Sequence, residues 1–258
     1  MKKFFATGLA GLALTAGLGS AEAGSFKTYG YGTLAAGQWE AVYWTDYVAS
    51  SDRQMAYFGK TVDREGLWGH TFELEYGVTD RLTVAAYADF EQPDGEAFKH
   101  VQTRIVAARY RFGDYRPDAF NSAIYLEYYL PKESYLGKSK EKIELRLIFE
   151  RSFDDWTLKL NPKFEKVVSG PDNDEGLEFE YAASLYREVG DDVEAGLELY
   201  GSIGEIANPR SWEDQRHYIV PAVTFEFGKH LEWNLGSAFG VTNGSDDVVI
   251  KSILEWKF

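Results

Sequence analysis

The sequence predicts an all-β fold: residues 24–258 as a single transmembrane antiparallel up-and-down β-barrel of about 12 strands. Three observations predict it. The chain is a succession of segments that alternate apolar and polar residues with a period of two, which gives each strand one face for lipid and one for a polar interior. The connections between these segments alternate between short turns and longer loops, as in barrels with one short-turn end and one loop end. The last segment, 248–258, sets Val248, Ile250, Ser252, Leu254, Trp256 and Phe258 against Val249, Lys251, Ile253, Glu255 and Lys257, and ends on an aromatic residue. That is the pattern of a closing barrel strand with its apolar side outward.

Ahead of the barrel, Lys2 and Lys3 precede an apolar run over 4–18, and Ala21-Glu22-Ala23 supplies small residues at cleavage spacing. This predicts a signal peptide, 1–23, cut after Ala23 during export through the inner membrane. No later segment holds the roughly 20 apolar residues that a membrane helix needs. The chain has no cysteine, which excludes disulfides, thiol chemistry and a Cys-ligated metal. A net charge of −14 argues against nucleic acid as a partner. Aromatics make up 16% of the residues, as expected of a barrel that places them in girdles at both membrane boundaries.

Residues 24–31 read as a short lead-in containing Gly and Tyr, and 33–47 as a first strand. Its alternation is poor: Trp39, Ala41 and Tyr43 oppose Gln38 and Glu40, but Val42 and Trp44 interrupt the polar face. A long polar connection, 48–67, follows. Strand 68–77 sets Phe72, Leu74 and Tyr76 against Thr71, Glu73 and Glu75, turns at 78–81 and returns as 82–90. A loop, 91–98, carries the turn signal Pro93-Asp94-Gly95. Strand 101–112 carries Val106, Ala108, Tyr110 and Phe112 on one side with Arg109 and Arg111 between them. After 113–120, strand 122–130 leads to a polar loop, 131–140. Strand 142–153 is the clearest, with Ile143, Leu145, Leu147 and Phe149 against Glu144, Arg146, Ile148 and Glu150. Asp154-Asp155 turns it into 156–168; loop 169–176 precedes strand 177–188, and a turn at 190–192 precedes strand 193–203. Loop 204–214, strand 215–227 with Pro221 inside it, turn 228–230, strand 231–241 and loop 242–247 complete the set. A proline within a strand is a cost, tolerable at a bulge.

A magnitude decides which face meets lipid. A Lys or Arg facing mid-membrane costs roughly 2–4 kcal/mol, and a one-residue slip exchanges the faces of a whole strand. Turning 142–153 over would place Glu144, Arg146 and Glu150 in hydrocarbon. A soluble sandwich or lipocalin-like barrel would want the apolar set inside; here that set is wide and aromatic at its ends. The lumen-lining candidates are therefore Glu73, Glu75, Arg109, Arg111, Glu127, Glu144, Arg146, Glu150, Lys159, Lys163, Glu178, Glu180, Glu198 and Arg216. Asp89, Glu165, Glu194, Glu226, Glu232, Lys251 and Glu255 share their parity. Tyr76, Tyr110, Phe112, Phe153, Trp156, Phe227, Trp233, Trp256 and Phe258 should form the girdle at the short-turn end.

Mixed charge in a lumen reads either as a polar path that selects solutes or as a salt-bridged filling that stiffens a closed barrel. Twelve strands lie between filled 8-stranded and open 16-stranded barrels, so strand number does not choose. Of the four histidines, His70 and His217 fall on the lipid face, while His100 and His230 fall in connections. No pair has ligand spacing, and the acidic loop groups Asp172/Asp174/Glu175 and Asp246/Asp247 match no calcium loop. No cofactor is expected, and no catalytic residue.

The segment Glu75-Tyr76-Gly77-Val78-Thr79-Asp80-Arg81-Leu82 resembles the strand–turn–strand of the outer-membrane family named for the meta-pathway of phenol degradation, a set of outer-membrane channels. The resemblance implies transport of small solutes, aromatic or hydrophobic compounds among them, and assigns no substrate residue. Leu254, Trp256 and Phe258 resemble the signal read by the barrel assembly machinery. The expected place is the outer membrane of a Gram-negative cell, in contact with lipid and lipopolysaccharide. The leading expectation is a passive channel for a small-molecule solute; the alternative is a closed structural or surface-interaction barrel. A lipid-modifying enzyme is the third reading, and no His-x-Ser-Asn segment supports it.

Overall fold

The computed structural model describes residues 26–132, 140–170 and 173–258. Among these, fourteen strands form: β1 Trp39–Ser50, β2 Gln54–Tyr57, β3 Lys60–Asp63, β4 Trp68–Thr79, β5 Leu82–Gln92, β6 Lys99–Arg111, β7 Asn121–Pro131, β8 Glu141–Phe153, β9 Trp156–Ser169, β10 Glu178–Gly190, β11 Val193–Glu205, β12 Arg216–Phe227, β13 Leu231–Gly240 and β14 Val248–Lys257. Twelve of them close a barrel in the order β1-β14-β13-β12-β11-β10-β9-β8-β7-β6-β5-β4, and β2-β3 stand apart as a hairpin. The seam is antiparallel, with Val42 opposite Glu255 and Thr45 opposite Ser252. Closure leaves no open sheet edge, the condition for a strand structure in lipid.

Alternation does what the charges require. Phe72 and Leu74 on β4 are 49% and 45% exposed, while the intervening Glu73 and Glu75 are 3% and 2% exposed. Leu145, Leu147 and Phe149 look outward on β8, and Glu144 is fully enclosed. At the short-turn end the expected girdle is present: Tyr110, Phe112, Phe227, Trp233, Trp256 and Phe258 are exposed, and Trp39–Tyr76, Tyr110–Phe112 and Trp256–Phe258 are ring pairs. A second belt, with Tyr47–Trp68 and Phe90–Phe98 pairs, lies toward the loop end. Asp154 and Asp192 sit at positive φ in the tight turns after β8 and β10, a conformation that aspartate tolerates.

Five expectations are corrected. Residues 26–31 are more than a lead-in to the first strand; they run inside the bore. The first strand starts at Trp39 and ends at Ser50, rather than spanning 33–47, and 33–38 bend beneath the barrel. The 48–67 connection contains the β2–β3 hairpin. His100 lies within β6, not in a connection. Strand β6 also carries a bulge that the alternation does not announce. Val106 takes φ +54 and is 72% exposed, and the pairing skips from Ile105 to Ala108 on the β7 side. One inserted residue reverses strand parity. Arg104 before the bulge and Arg109 after it therefore both face inward. The fifth correction is Pro221, which sits at no bulge: the β12–β13 register is unbroken from Ile219↔Phe239 to Ala222↔Gly236, and the proline is accommodated by the absence of a bridge at its own position on that side. The signal peptide reading lies outside the described residues.

Candidate functional site

A strap of the chain's own residues, 26–38, bends beneath the barrel over 33–38 and climbs past mid-barrel inside the bore over 26–31. At its base, Gly37 N donates to Gly77 O (2.8 Å) and Gly77 N donates to Gln38 O (2.9 Å). The approach is so close that a Cβ on Gly77 would stand 2.0 Å from Ala35 O. Only glycine fits there. Leu34 N donates to Thr83 Oγ1 (2.9 Å) and Tyr31 N donates to Glu150 Oε2 (2.9 Å). Higher up, Asn161 grips the Tyr29 backbone from both sides: Tyr29 N donates to Oδ1 (2.6 Å), and Nδ2 donates to Tyr29 O (3.0 Å). Thr28 Oγ1 donates to Ser184 Oγ (3.1 Å), and Lys251 Nζ donates to Phe26 O (3.0 Å). Above its base the strap thus pairs its backbone with wall side chains rather than with a strand, which satisfies buried polar groups without a ladder.

Its side chains explain the faults in the first strand. Val42 and Trp44, both 2% exposed, face the bore because Tyr29 and Tyr31 supply an apolar lining there, joined by Tyr87, Tyr125 and Ile148. Trp44 Nε1 donates to Glu73 (3.0 Å), and Tyr87 Oη shares hydrogen bonds with Tyr125 Oη (2.8 Å) and Tyr29 Oη (3.3 Å). Cations lie over these rings: Arg146 is 4.2 Å from the Tyr29 centroid and Arg104 is 4.2 Å from that of Tyr87.

Charge around the strap is densely paired. Arg104 clasps Asp89 at 2.9 and 3.0 Å and reaches Glu127 at 3.4 Å. Arg109 meets Glu75 at 2.8 Å and Arg146 meets Glu144 at 2.8 Å. Lys163 bridges Glu180 (2.5 Å), Glu165 (2.9 Å) and Glu144 (3.5 Å). Lys27 of the strap bridges Glu255 (2.8 Å) and Glu73 (3.6 Å), and Lys251 meets Glu198 (2.5 Å). Enclosed charges survive only when so compensated.

Among the described residues, two cavities flank the strap. The outer chamber, about 930 Å³ with its open mouth included, lies below the long loops. Its lining carries the cations Lys27, Arg53, Arg64, Arg146, Lys163 and Arg216 against the carboxylates Asp46, Glu91, Glu180 and Asp246. The inner chamber, about 690 Å³, opens toward the short turns. There Lys27, Arg109, Lys159 and Lys251 face Glu40, Glu194, Glu198, Glu232 and Glu255. Phe26 looks into the outer chamber and Thr28 and Gly30 into the inner one, while Lys27 touches both.

All fourteen lumen candidates lie along this axis. Glu73, Glu75, Arg109, Glu127, Glu144, Arg146 and Lys163 surround the strap; Glu150, Lys159 and Glu198 lie toward the inner chamber; Glu180 and Arg216 pair (3.2 Å) at the outer one. Glu178 pairs with Arg210 (3.4 Å) at the outer rim. Arg111 sits at the inner mouth, its Nε donating to Asp80 O (2.8 Å). Sequence reasoning missed Lys27, Tyr29, Trp44, Arg53, Arg64, Arg104 and Asp246. Val42 and Trp44 stand out as apolar residues on a polar face, and that anomaly is the signal of a strap that the sequence carries. Of the remaining candidates, Leu254, Trp256 and Phe258 lie on the outer wall, exposed. His70 stacks on Tyr43 on the lipid face, and His217 is covered by Trp212 with ring centroids 4.6 Å apart.

No family model and no curated protein matches the sequence. Solved structures do resemble the fold. The COG4313 outer membrane channel from Pseudomonas putida F1 superposes with a TM-score of 0.60 at 13% identity, over 88% of this chain and 98% of that one. The KdgM porin superposes with a TM-score of 0.53 at 9% identity, over 85% of this chain and 99% of that one. The twelve-stranded, all-β barrel is thus the fold of outer-membrane channels.

Proposed function

We propose that this chain is a passive outer-membrane channel for small solutes, narrowed at mid-barrel by its strap. The observation that carries the reading is the pair of charged chambers, one toward each end of the bore, with the strap and its partners between them among the described residues. A barrel built solely as a membrane rivet has no need of polar cavities at both mouths. Resemblance of the whole fold to two outer-membrane channels supports the same reading. The strap makes it a small pore rather than a general porin. Purified, folded protein in planar bilayers should show small unitary conductances. Persistent silence would remove the channel and leave the closed barrel, which the dense ion pairing of Arg104, Arg109, Arg146 and Lys163 favours.

On this reading the chain is exported by its signal peptide, delivered to the assembly machinery through Leu254, Trp256 and Phe258, and held among outer-membrane lipid and lipopolysaccharide. Hydrolysis is disfavoured by one contact. Ser245 lies beside His217, but its hydroxyl accepts His217 N–H (2.9 Å) and donates to His217 O (3.0 Å), so it serves the backbone rather than an imidazole base. Phospholipid assays in mixed micelles should show no turnover; turnover above that of empty micelles would reverse this.

A further inference from the structure

At the head of the outer chamber the loops converge on one carboxylate. Arg64 donates Nε and Nη2 to Asp246 Oδ1 and Oδ2, both at 2.7 Å. Ser51 Oγ adds a hydrogen bond to Oδ1 (2.7 Å), and Asp246 N donates to Tyr218 Oη (2.8 Å). Asp246 is therefore held by a bidentate arginine and a hydroxyl. Arg53 stands on the same side with Nη1 3.7 Å from Oδ1, an ion pair beyond hydrogen-bond length. Arg216, paired to Glu180, lines the same space. Burial first, and then the neighbouring charge of Arg64, depress the pKa of Arg53, with Arg216 adding to the effect and Asp246 opposing it. Positive charge is crowded at this mouth in a chain whose net charge is −14.

Beneath the arginines lies an aromatic floor. Phe26, the first described residue of the strap, meets Tyr200 and Tyr218 edge-on, with centroids 5.2 and 5.0 Å apart. Val48, Leu67 and Val249 extend the apolar surface. A concave site with a few convergent charged donors above an apolar base is the usual form of a small-ligand site. The guanidinium fork matches a carboxylate in particular.

We propose that the outer chamber is a binding subsite for a small organic anion, with its carboxylate at Arg53 and Arg216 and its apolar ring on Phe26, Tyr200 and Tyr218. The inference deepens the channel reading by naming the class of solute that the channel admits first. Binding and passage are measured separately, so each can fail alone. Equilibrium dialysis of the purified, folded barrel against labelled benzoate, with benzylammonium and empty micelles as controls, tests it. Saturable benzoate binding that benzylammonium does not share is expected. Arg53→Gln should weaken it about 10-fold, the loss of one charge-assisted contact, and Arg216→Gln should weaken it as well. Arg53 stands in a loop, and retention of the barrel in each variant is checked by the resistance of the unheated band to SDS. Equal uptake of benzoate and benzylammonium, or wild-type binding in folded Arg53→Gln, overturns the subsite. Conductance from a barrel that binds no benzoate leaves the channel standing and the subsite gone; binding by a barrel that conducts nothing does the reverse.

Discussion

The two chambers share the same twelve strands yet differ in sign. Six cations face four carboxylates in the outer chamber, and four cations face five carboxylates in the inner one. The difference comes from where the cations stand. In the outer chamber Arg53 and Arg64 come from the long connection around the β2–β3 hairpin and Lys27 from the strap, none of them a barrel-strand residue. In the inner chamber, apart from Lys27, every charged group sits on a strand. The barrel wall alone is thus acidic or balanced, and the loops overwrite it at one mouth. Selectivity at the two ends can therefore be changed independently.

The largest effect should follow removal of what divides the chambers. Deleting residues 26–36 joins them, and unitary conductance should rise severalfold; an unchanged conductance would mean that the strap does not set the narrowest point. Gly77→Val is the point-mutation version, because its side chain would collide with Ala35 O and expel the base of the strap. Next in size is Asn161→Ala. It leaves Tyr29 N and O without their partners at a cost of about 2 kcal/mol, so the strap should open roughly 30-fold more often, seen as faster amide exchange at Tyr29. Lys159→Gln should come third: it makes the inner chamber more acidic and moves the reversal potential in a salt gradient toward cations, while Arg53→Gln does the same from the other mouth.

The smallest effect concerns pH. Burial raises the pKa of Asp246, but the hydrogen bond and charge of Arg64 outweigh it and hold the group below the ordinary aspartate value. A depressed native pKa contributes stability that is complete above the unfolded-chain value, about 3.9, and lost as pH falls through the native one. Protection of the Arg64 amide, which donates to Arg53 O (2.9 Å), should therefore hold constant from neutral pH to about 4 once intrinsic exchange is removed. It should fall only in stronger acid. Loss of protection near pH 6 would mean that something other than Asp246 fastens this hairpin.

Strand number, strand faces and the ends of the barrel were legible because each rests on a local rule with a large penalty. Glu144 and Arg146 cannot face hydrocarbon, so β8 has one orientation whatever its neighbours do. Arg104 was not legible. Its direction depends on the bulge at Val106, and nothing in Ile105-Val106-Ala107 announces an extra residue. The strap was hidden for a different reason: its backbone is paired by Asn161, Glu150 and Thr83 from distant strands, so it carries no periodic signal of its own. Arg53 and Arg64 lie in a segment that reads only as a long polar connection, because sequence shows that a loop is polar but not that it folds over the mouth.

The seam between β1 and β14 joins the earliest and latest barrel segments of the chain. Until that zipper shuts there is no ring, and so no interior for residues 26–38 to occupy. Lys27 reaches Glu255 on β14 and Glu73 on β4, the neighbours that flank β1 on its two sides, and Phe26 O receives Lys251 from β14 as well. The strap therefore works as a keystone: seated within the closed circle, it ties β14 to β4 across β1 from within.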